Sequence, residues 1–219
     1  MPAYSARSTG TARPVRSGRL RLGLALAGVA LLVVATFSPL AELGEEKLFS
    51  AHMIQHLLLG DIAPLLIALG AGRRAGLAHP LLALALWCAV LAFWHVPKLY
   101  DAALRSEALH QLQHVCFFGA GFLLWGAVLA GRAAVGWKIG AVVGVGLAGT
   151  ALGNVFLWAN DVIYERYASA TRAWGLSPIA DQQLGGAIML AEGAAVTIAV
   201  FAWLVLRALT ETESAAPAL

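Results

Sequence analysis

Apolar residues come in long runs along this chain, and polar residues are confined to short breaks between them. The runs span residues 22–41, 48–72, 75–97, 108–131, 139–160 and 182–206. A helix needs about 20 apolar residues to cross a bilayer, and each run is long enough. None shows the period-two alternation of a barrel strand, and in lipid only a helix or a closed barrel satisfies every backbone polar group. The pattern predicts an all-α, polytopic transmembrane helical bundle of about six spans.

Three segments follow from the same pattern. Residues 1–21 form a flexible basic segment, 22–209 the transmembrane domain, and 210–219 a C-terminal tail. The first apolar run is too long for the core of a signal peptide and lacks a small-x-small exit, so it reads as a retained first helix. No internal repeat is evident. The glycines of the fifth span (Gly140, Gly144, Gly146, Gly149 and Gly153) have spacing that suits close helix packing.

Composition agrees with this picture. The chain of 219 residues is 60% hydrophobic and 12% charged, where a soluble domain carries about 25% charge. The net charge of +3 comes from basic residues at span ends, so no nucleic-acid partner is expected. With a cytoplasmic N-terminus, the inside segments hold Arg7, Arg13, Arg16, Arg19, Arg21, Arg73, Arg74, Arg132, Lys138 and Arg207, ten of the fifteen Lys/Arg residues. The positive-inside rule then puts both termini in the cytoplasm. The outer loops take most of the acids, among them Glu42, Glu45 and Glu46. The longest outer loop, 161–181, is expected to lie along the interface as an amphipathic segment containing Tyr164, Tyr167 and Trp174. Trp94, Tyr100, Trp125, Trp137 and Trp158 fall near span ends and read as interfacial anchors.

The candidate chemistry is a histidine constellation. His52 and His56 open the second span, His95 ends the third, and His110 and His114 open the fourth. This topology brings all five to one membrane depth, leaving His79 at the other face. His52/His56 and His110/His114 are i,i+4 pairs, each presenting two imidazoles on one helix face. Two facing pairs make a cage for copper, zinc, iron or nickel. A lone histidine near an interface is ordinarily just an amphipathic residue at a wet boundary; five at one depth favour a metal or heme site.

Candidate additional ligands are Met53, three residues before His56, and the pair Met189 and Glu192 on the sixth span. Cys116 lies about 160° around the helix from His114, and Cys88 lies too deep; neither suits the site. Asp61 is nine residues past His52, about 13 Å deeper and on nearly the opposite face. It is expected to accept a hydrogen bond, pair with another helix or line an ion path, not to ligate. Glu192 is open between helix pairing and a role near the metal. No nucleophile or acid–base pair stands out, so no enzyme activity is expected.

Three stretches together resemble a known family. They are His52-Met53-Ile54-Gln55-His56-Leu57-Leu58-Leu59 with Ala63-Pro64-Leu65-Leu66, then Trp94-His95-Val96-Pro97 with Tyr100-Asp101-Ala102-Ala103-Leu104, and His110-Gln111-Leu112-Gln113-His114 continuing to Leu124-Trp125. In this order they are similar to the CtaG-type cytochrome c oxidase assembly factors, over roughly residues 48–130. The resemblance implies a multi-pass protein of a bacterial plasma membrane that helps mature a heme–copper oxidase. It would bind copper and deliver or insert it at the outer face. Its partners would be the lipid bilayer, an oxidase subunit and a periplasmic copper donor. Two other functions stay open on the residues alone: a b-type heme electron carrier, with facing histidines as axial ligands, and a metal or proton-coupled transporter using Asp61 and Glu192.

Overall fold

In a computed structural model that describes residues 14–170 and 174–215, every regular element is helical among the described residues. The helices are α1 (Pro14–Phe37), α2 (Pro39–Glu46), α3 (Phe49–Leu57), α4 (Ala63–Ala71), α5 (Pro80–Trp94), α6 (Pro97–Arg105), α7 (Glu107–Ala130), α8 (Val135–Trp158), α9 (Glu165–Ala168) and α10 (Pro178–Ala215). A π-helical turn, Leu58–Ile62, joins α3 to α4, and a 3₁₀ turn, Gly72–Ala75, follows α4.

Five segments are long and apolar enough to cross a membrane: Gly18–Phe37, Phe49–Ala71, Glu107–Ala130, Val135–Trp158 and Pro178–Glu211. The sixth span is of a different kind. α5 has 15 residues, about 22 Å of helix, short of the roughly 30 Å hydrocarbon core. It continues into α6 only through a 74° bend, set by Val96 in extended conformation before Pro97. The residues before α5, expected inside the third span, form the 3₁₀ turn and a short link instead.

The ends of the bundle shift for identifiable reasons. The first span was expected to run to residue 41, but α1 stops at Phe37. Pro39 cannot continue a helix, and the Ser38 side chain accepts a hydrogen bond from Leu40 N at 3.2 Å to start α2. Helical structure begins at Pro14, inside the segment expected to be flexible, and α10 runs to Ala215, inside the expected tail. Residues 1–13 and 216–219 lie outside the described residues, as does Arg172.

Two apolar layers hold the bundle. One, around Ala68, Leu124, Trp125, Val128, Val142 and Leu204, fills the half away from the histidines. The other, around Phe49, Met53, Tyr100, Phe156, Tyr164, Tyr167 and Met189, lies on the histidine side. The outer face of α1, including Leu22, Val33 and Phe37, is exposed and reads as lipid-facing. Of the fifth-span glycines, Gly144, Gly146 and Gly153 meet α5 or α10, while Gly140 and Gly149 face open space.

Two loop-level expectations are corrected. The 161–181 segment does not present all three aromatics outward as an amphipathic strip: Tyr164 and Tyr167 are buried, and of the three only Trp174 is exposed. Tyr164 OH donates to His95 O at 3.1 Å and Tyr167 OH to Gly44 O at 2.7 Å, so this segment clamps α2 and the α5–α6 bend. Trp94, Tyr100 and Trp125 are buried core residues and not anchors. Only Trp137 and Trp158 keep exposed faces.

Candidate metal centre

The site starts from how α3 begins. Its N-cap residue, Leu48, offers no side-chain cap, so the first backbone N–H groups need another acceptor. Asp181, at the start of α10, supplies it. Its carboxylate accepts from Phe49 N (2.6 Å), Ser50 N (3.1 Å) and Ser50 Oγ (2.5 Å). This cap from 131 or more residues away fixes the start of α3, and hence the depth of His52 and His56. α2 packs against the same turn, because Gly44 has no Cβ: an added one would stand 2.8 Å from His52 N.

All five histidines expected at one face come together, and all are buried. His52 and His56 place their Nε2 atoms 2.8 Å apart, with ring centroids 4.2 Å apart. The His110 and His114 rings are 4.1 Å apart on α7. Across the helices, His52 lies 5.4 Å from His110, and His56 lies 6.0 Å from His114 and 6.1 Å from His95, centroid to centroid. Ring nitrogens of His52, His56 and His110 all lie within 4.8 Å of one another. Tetrahedral ligands on bonds of about 2.05 Å stand about 3.4 Å apart, so small rotamer changes bring these three onto one ion.

The electronic state of the rings suits a ligand role. Among the described residues, His52 Nδ1, His56 Nδ1, His95 Nε2, His110 Nε2 and both nitrogens of His114 have no hydrogen-bond partner, although buried. Such groups are rare unless something binds them. His95 Nδ1 lies 2.7 Å from Leu91 O; it must be the donor, which leaves the Nε2 lone pair for a ligand. His110 Nδ1 stands 3.5 Å from Glu45 Oε1, an arrangement in which an outer carboxylate orients a metal-binding imidazole.

The site has two adjoining spaces. A groove of about 580 Å³ on the surface is lined by Glu42, Glu45, Glu46, Glu107 and His110, with Arg105 as its basic member. Burial raises the Glu45 carboxyl above its ordinary pKa; Glu46 and Glu107 push the same way, and the Gln55 side chain opposes them. Deeper, a cavity of about 50 Å³ is lined by His56, His95, Met53, Met189, Phe117 and Asp61, among others. His110 thus borders the acidic groove, while His56 and His95 border the inner cavity.

The candidate additional ligands divide. Met53 and Met189 pack together and face the cavity. Glu192 instead adjoins Asp61, with its Oε1 buried and without a hydrogen-bond partner, and Asp61 accepts a 2.5 Å hydrogen bond from Trp125 Nε1. Asp61 was expected on the face away from His52, yet it lines the cavity beside His56. The π turn is the reason. Ala63 N bonds Leu58 O, five residues back, which alters the angular count. Pro64 gives Gly60 O no partner four residues on and would crowd it in a regular helix. That carbonyl meets α7 at Gly121, where any Cβ would collide with it. Cys116 packs beside Trp94, Ala103 and Phe117, away from the imidazoles.

Sequence reasoning missed several contributors. Asp181, Tyr164 and Tyr167 act from a segment remote in sequence. Gln55 and Gln113 are also fully buried; Gln55 Nε2 donates to Ala35 O at 3.0 Å, while Gln55 Oε1 and both Gln113 amide atoms have no partner. A signal for these was present: His52-x-x-Gln55-His56 and His110-x-x-Gln113-His114 repeat one motif.

The fold and site together define a polytopic helical membrane protein with a buried multi-histidine cluster at one end. The sequence model of the family described as cytochrome c oxidase caa3 assembly factor matches residues 4–211, and the chain belongs to that family. Two uncharacterized proteins, from Mycobacterium bovis and Mycobacterium tuberculosis, are each 26% identical over 199 residues, covering 74% of this chain and 30% of theirs. The chain therefore spans about a third of the length of these relatives. No solved structure matches it.

Proposed function

We propose that this chain is a copper-handling assembly factor for a heme–copper cytochrome c oxidase. Copper enters through the acidic groove at the outer membrane face, passes His110, and is held by His52, His56, His110 and His114, with His95 as a further or exchanging ligand. Met53 and Met189 offer thioethers beside His95, suited to Cu(I). A periplasmic donor supplies the ion, and it passes laterally to the oxidase subunit. The observation that carries the reading is the convergence of five buried imidazoles with unpartnered ring nitrogens. Family membership supplies the oxidase, and with it copper as the metal.

A cage without thiolates suits a transfer site, which must release its ion as well as hold it. The rival readings fit less well. A heme macrocycle needs a slot of several hundred Å³, and the cavity among these histidines is about 50 Å³. A transporter needs a path onward, and below Asp61 the bundle is filled by Leu124, Trp125 and Val128.

The test is metal analysis of the purified protein beside a His52→Ala/His110→Ala variant, together with oxidase activity in a strain lacking the chain. About one copper per chain is expected in the wild type, with no Soret band, and loss of both copper and oxidase activity in the variant. A variant that kept full copper binding and restored oxidase activity would sink the proposal. A strong Soret band in the wild type would move the site to heme.

A further inference from the structure

The end of the bundle opposite the histidines carries a second built cavity. It measures about 440 Å³ and is lined by Arg21, Arg132, Lys138 and Arg207, with Leu69, Leu129 and Trp203 among its apolar walls. The four cations come from α1, the α7–α8 link, α8 and α10, so the bundle itself brings them together. Gly72 has a positive φ of 59°. A Cβ there would stand 3.0 Å from Arg21 Nη1, so the guanidinium lies against bare backbone at the end of α4. Arg207 stacks over Trp203, 5.5 Å from the ring, and pairs with Glu211 at 2.9 Å. Among the described residues, Arg21, Arg132 and Lys138 form no ion pair, and Glu211, already paired with Arg207, is the one acid that acts on Lys138.

Like charges gathered around one concavity repel one another unless an anion joins them. We propose that this cavity binds the phosphate of an anionic phospholipid headgroup. Arg and Lys side chains are the usual partners of phosphate oxygens, and basic pockets between spans at the membrane surface take lipid headgroups. The surroundings favour lipid over a free anion. The cavity sits at the ends of the spans, where hydrocarbon meets water. Leu20 and Leu22 of α1 and Leu206 and Leu209 of α10 are exposed nearby along the chain, giving acyl chains an apolar surface to follow. Trp203 offers the amphipathic ring that suits this depth.

This site is independent of the copper reading and is tested without metal. The full chain is purified in neutral detergent and given phosphatidylglycerol, phosphatidylcholine with the same acyl chains, or inorganic phosphate. Native mass spectrometry reads bound lipid, and the thermal unfolding midpoint reads stabilisation. Phosphatidylglycerol is expected to stay bound and raise the midpoint, with phosphatidylcholine and phosphate ineffective. Arg132→Gln/Lys138→Gln should weaken phosphatidylglycerol binding about 25-fold, at about fivefold per basic residue. Lys98→Gln, at an exposed position of α6, should leave phosphatidylglycerol binding unchanged. A single Arg21→Gln, at an exposed position, gives the same reading with about a fivefold loss if the double variant does not fold. Equal retention of the two lipids, equal stabilisation by phosphate, or undiminished phosphatidylglycerol binding in folded variants would each overturn the proposal.

Discussion

Asp181 touches none of the histidines, yet its removal should disable them. In Asp181→Ala three donors lose their acceptor: Phe49 N, Ser50 N and Ser50 Oγ, now at 2.6, 3.1 and 2.5 Å. Asp181 is only 3% exposed, so water does not readily replace it. An unsatisfied buried donor costs about 1–3 kcal/mol, and loss of an N-cap about 0.5–2 kcal/mol. The serine hydroxyl can rotate to a new acceptor, so two backbone donors dominate and the loss comes to about 3–5 kcal/mol. At about 2–4 °C per kcal/mol for a chain of this size, the unfolding midpoint should fall by roughly 10 °C. Copper binding should weaken as well, because the first turn of α3 sets the position of His52. Asp181→Asn should fall between: it keeps one oxygen for Ser50 but brings an amide N–H₂ toward Phe49 N. The assay is a thermal melt in detergent with copper titration of each variant below its midpoint. A midpoint within a degree of wild type for Asp181→Ala, with unchanged copper affinity, would refute the assignment of Asp181 as the cap that positions the site.

Other consequences follow from the same geometry. Glu45→Gln removes the carboxylate 3.5 Å from His110 Nδ1 and should lower copper affinity about tenfold without moving the melting midpoint, as read by competition titration. Trp125→Phe takes away the 2.5 Å donor to Asp61 in a fully buried position; it should cost about 1–3 kcal/mol in a thermal melt while leaving copper stoichiometry at the wild-type value. Burial holds the Tyr164 and Tyr167 hydroxyls above the ordinary tyrosine pKa. Their contribution is therefore fully present below the unfolded value of about 10 and lost as pH rises beyond it. The melting midpoint should drop above about pH 10, and the drop should be shallower in Tyr164→Phe/Tyr167→Phe.

What the chain reveals by itself divides along a physical line. Span number and histidine depth follow from local rules, hydrophobic length and i,i+4 spacing, and these rules placed His52, His56, His95, His110 and His114 at one end. Contributions that depend on where the chain returns were not legible. Asp181 caps a helix whose first residues lie 131 and 132 positions earlier, and Tyr164 and Tyr167 enter the core from a segment whose composition looks interfacial. Their polarity alone cannot distinguish a loop on the surface from one folded over a bundle end.

Asp61 marks a subtler boundary: it accepts a hydrogen bond as expected, but its place beside His56 in the cavity wall does not follow from a regular helical count. Counting 100° per residue assumes an unbroken α-helix, and on that count Asp61 stands about 140° around the helix from His56. A π turn returns to the same face after about five residues instead of about four, and Asp61 is five residues past His56. The turn that realigns them occupies Leu58–Ile62, just ahead of Pro64. So Pro64 does more than remove a donor and bend the helix; it also rephases the turn ahead of it. That shift puts a carboxyl group at the floor of the histidine cavity, where Trp125 and Glu192 meet it, and ties the histidine end of the bundle to its apolar half. Helical angles in the turn just ahead of a proline are therefore better counted with a π turn in mind than on one unbroken α-helical register.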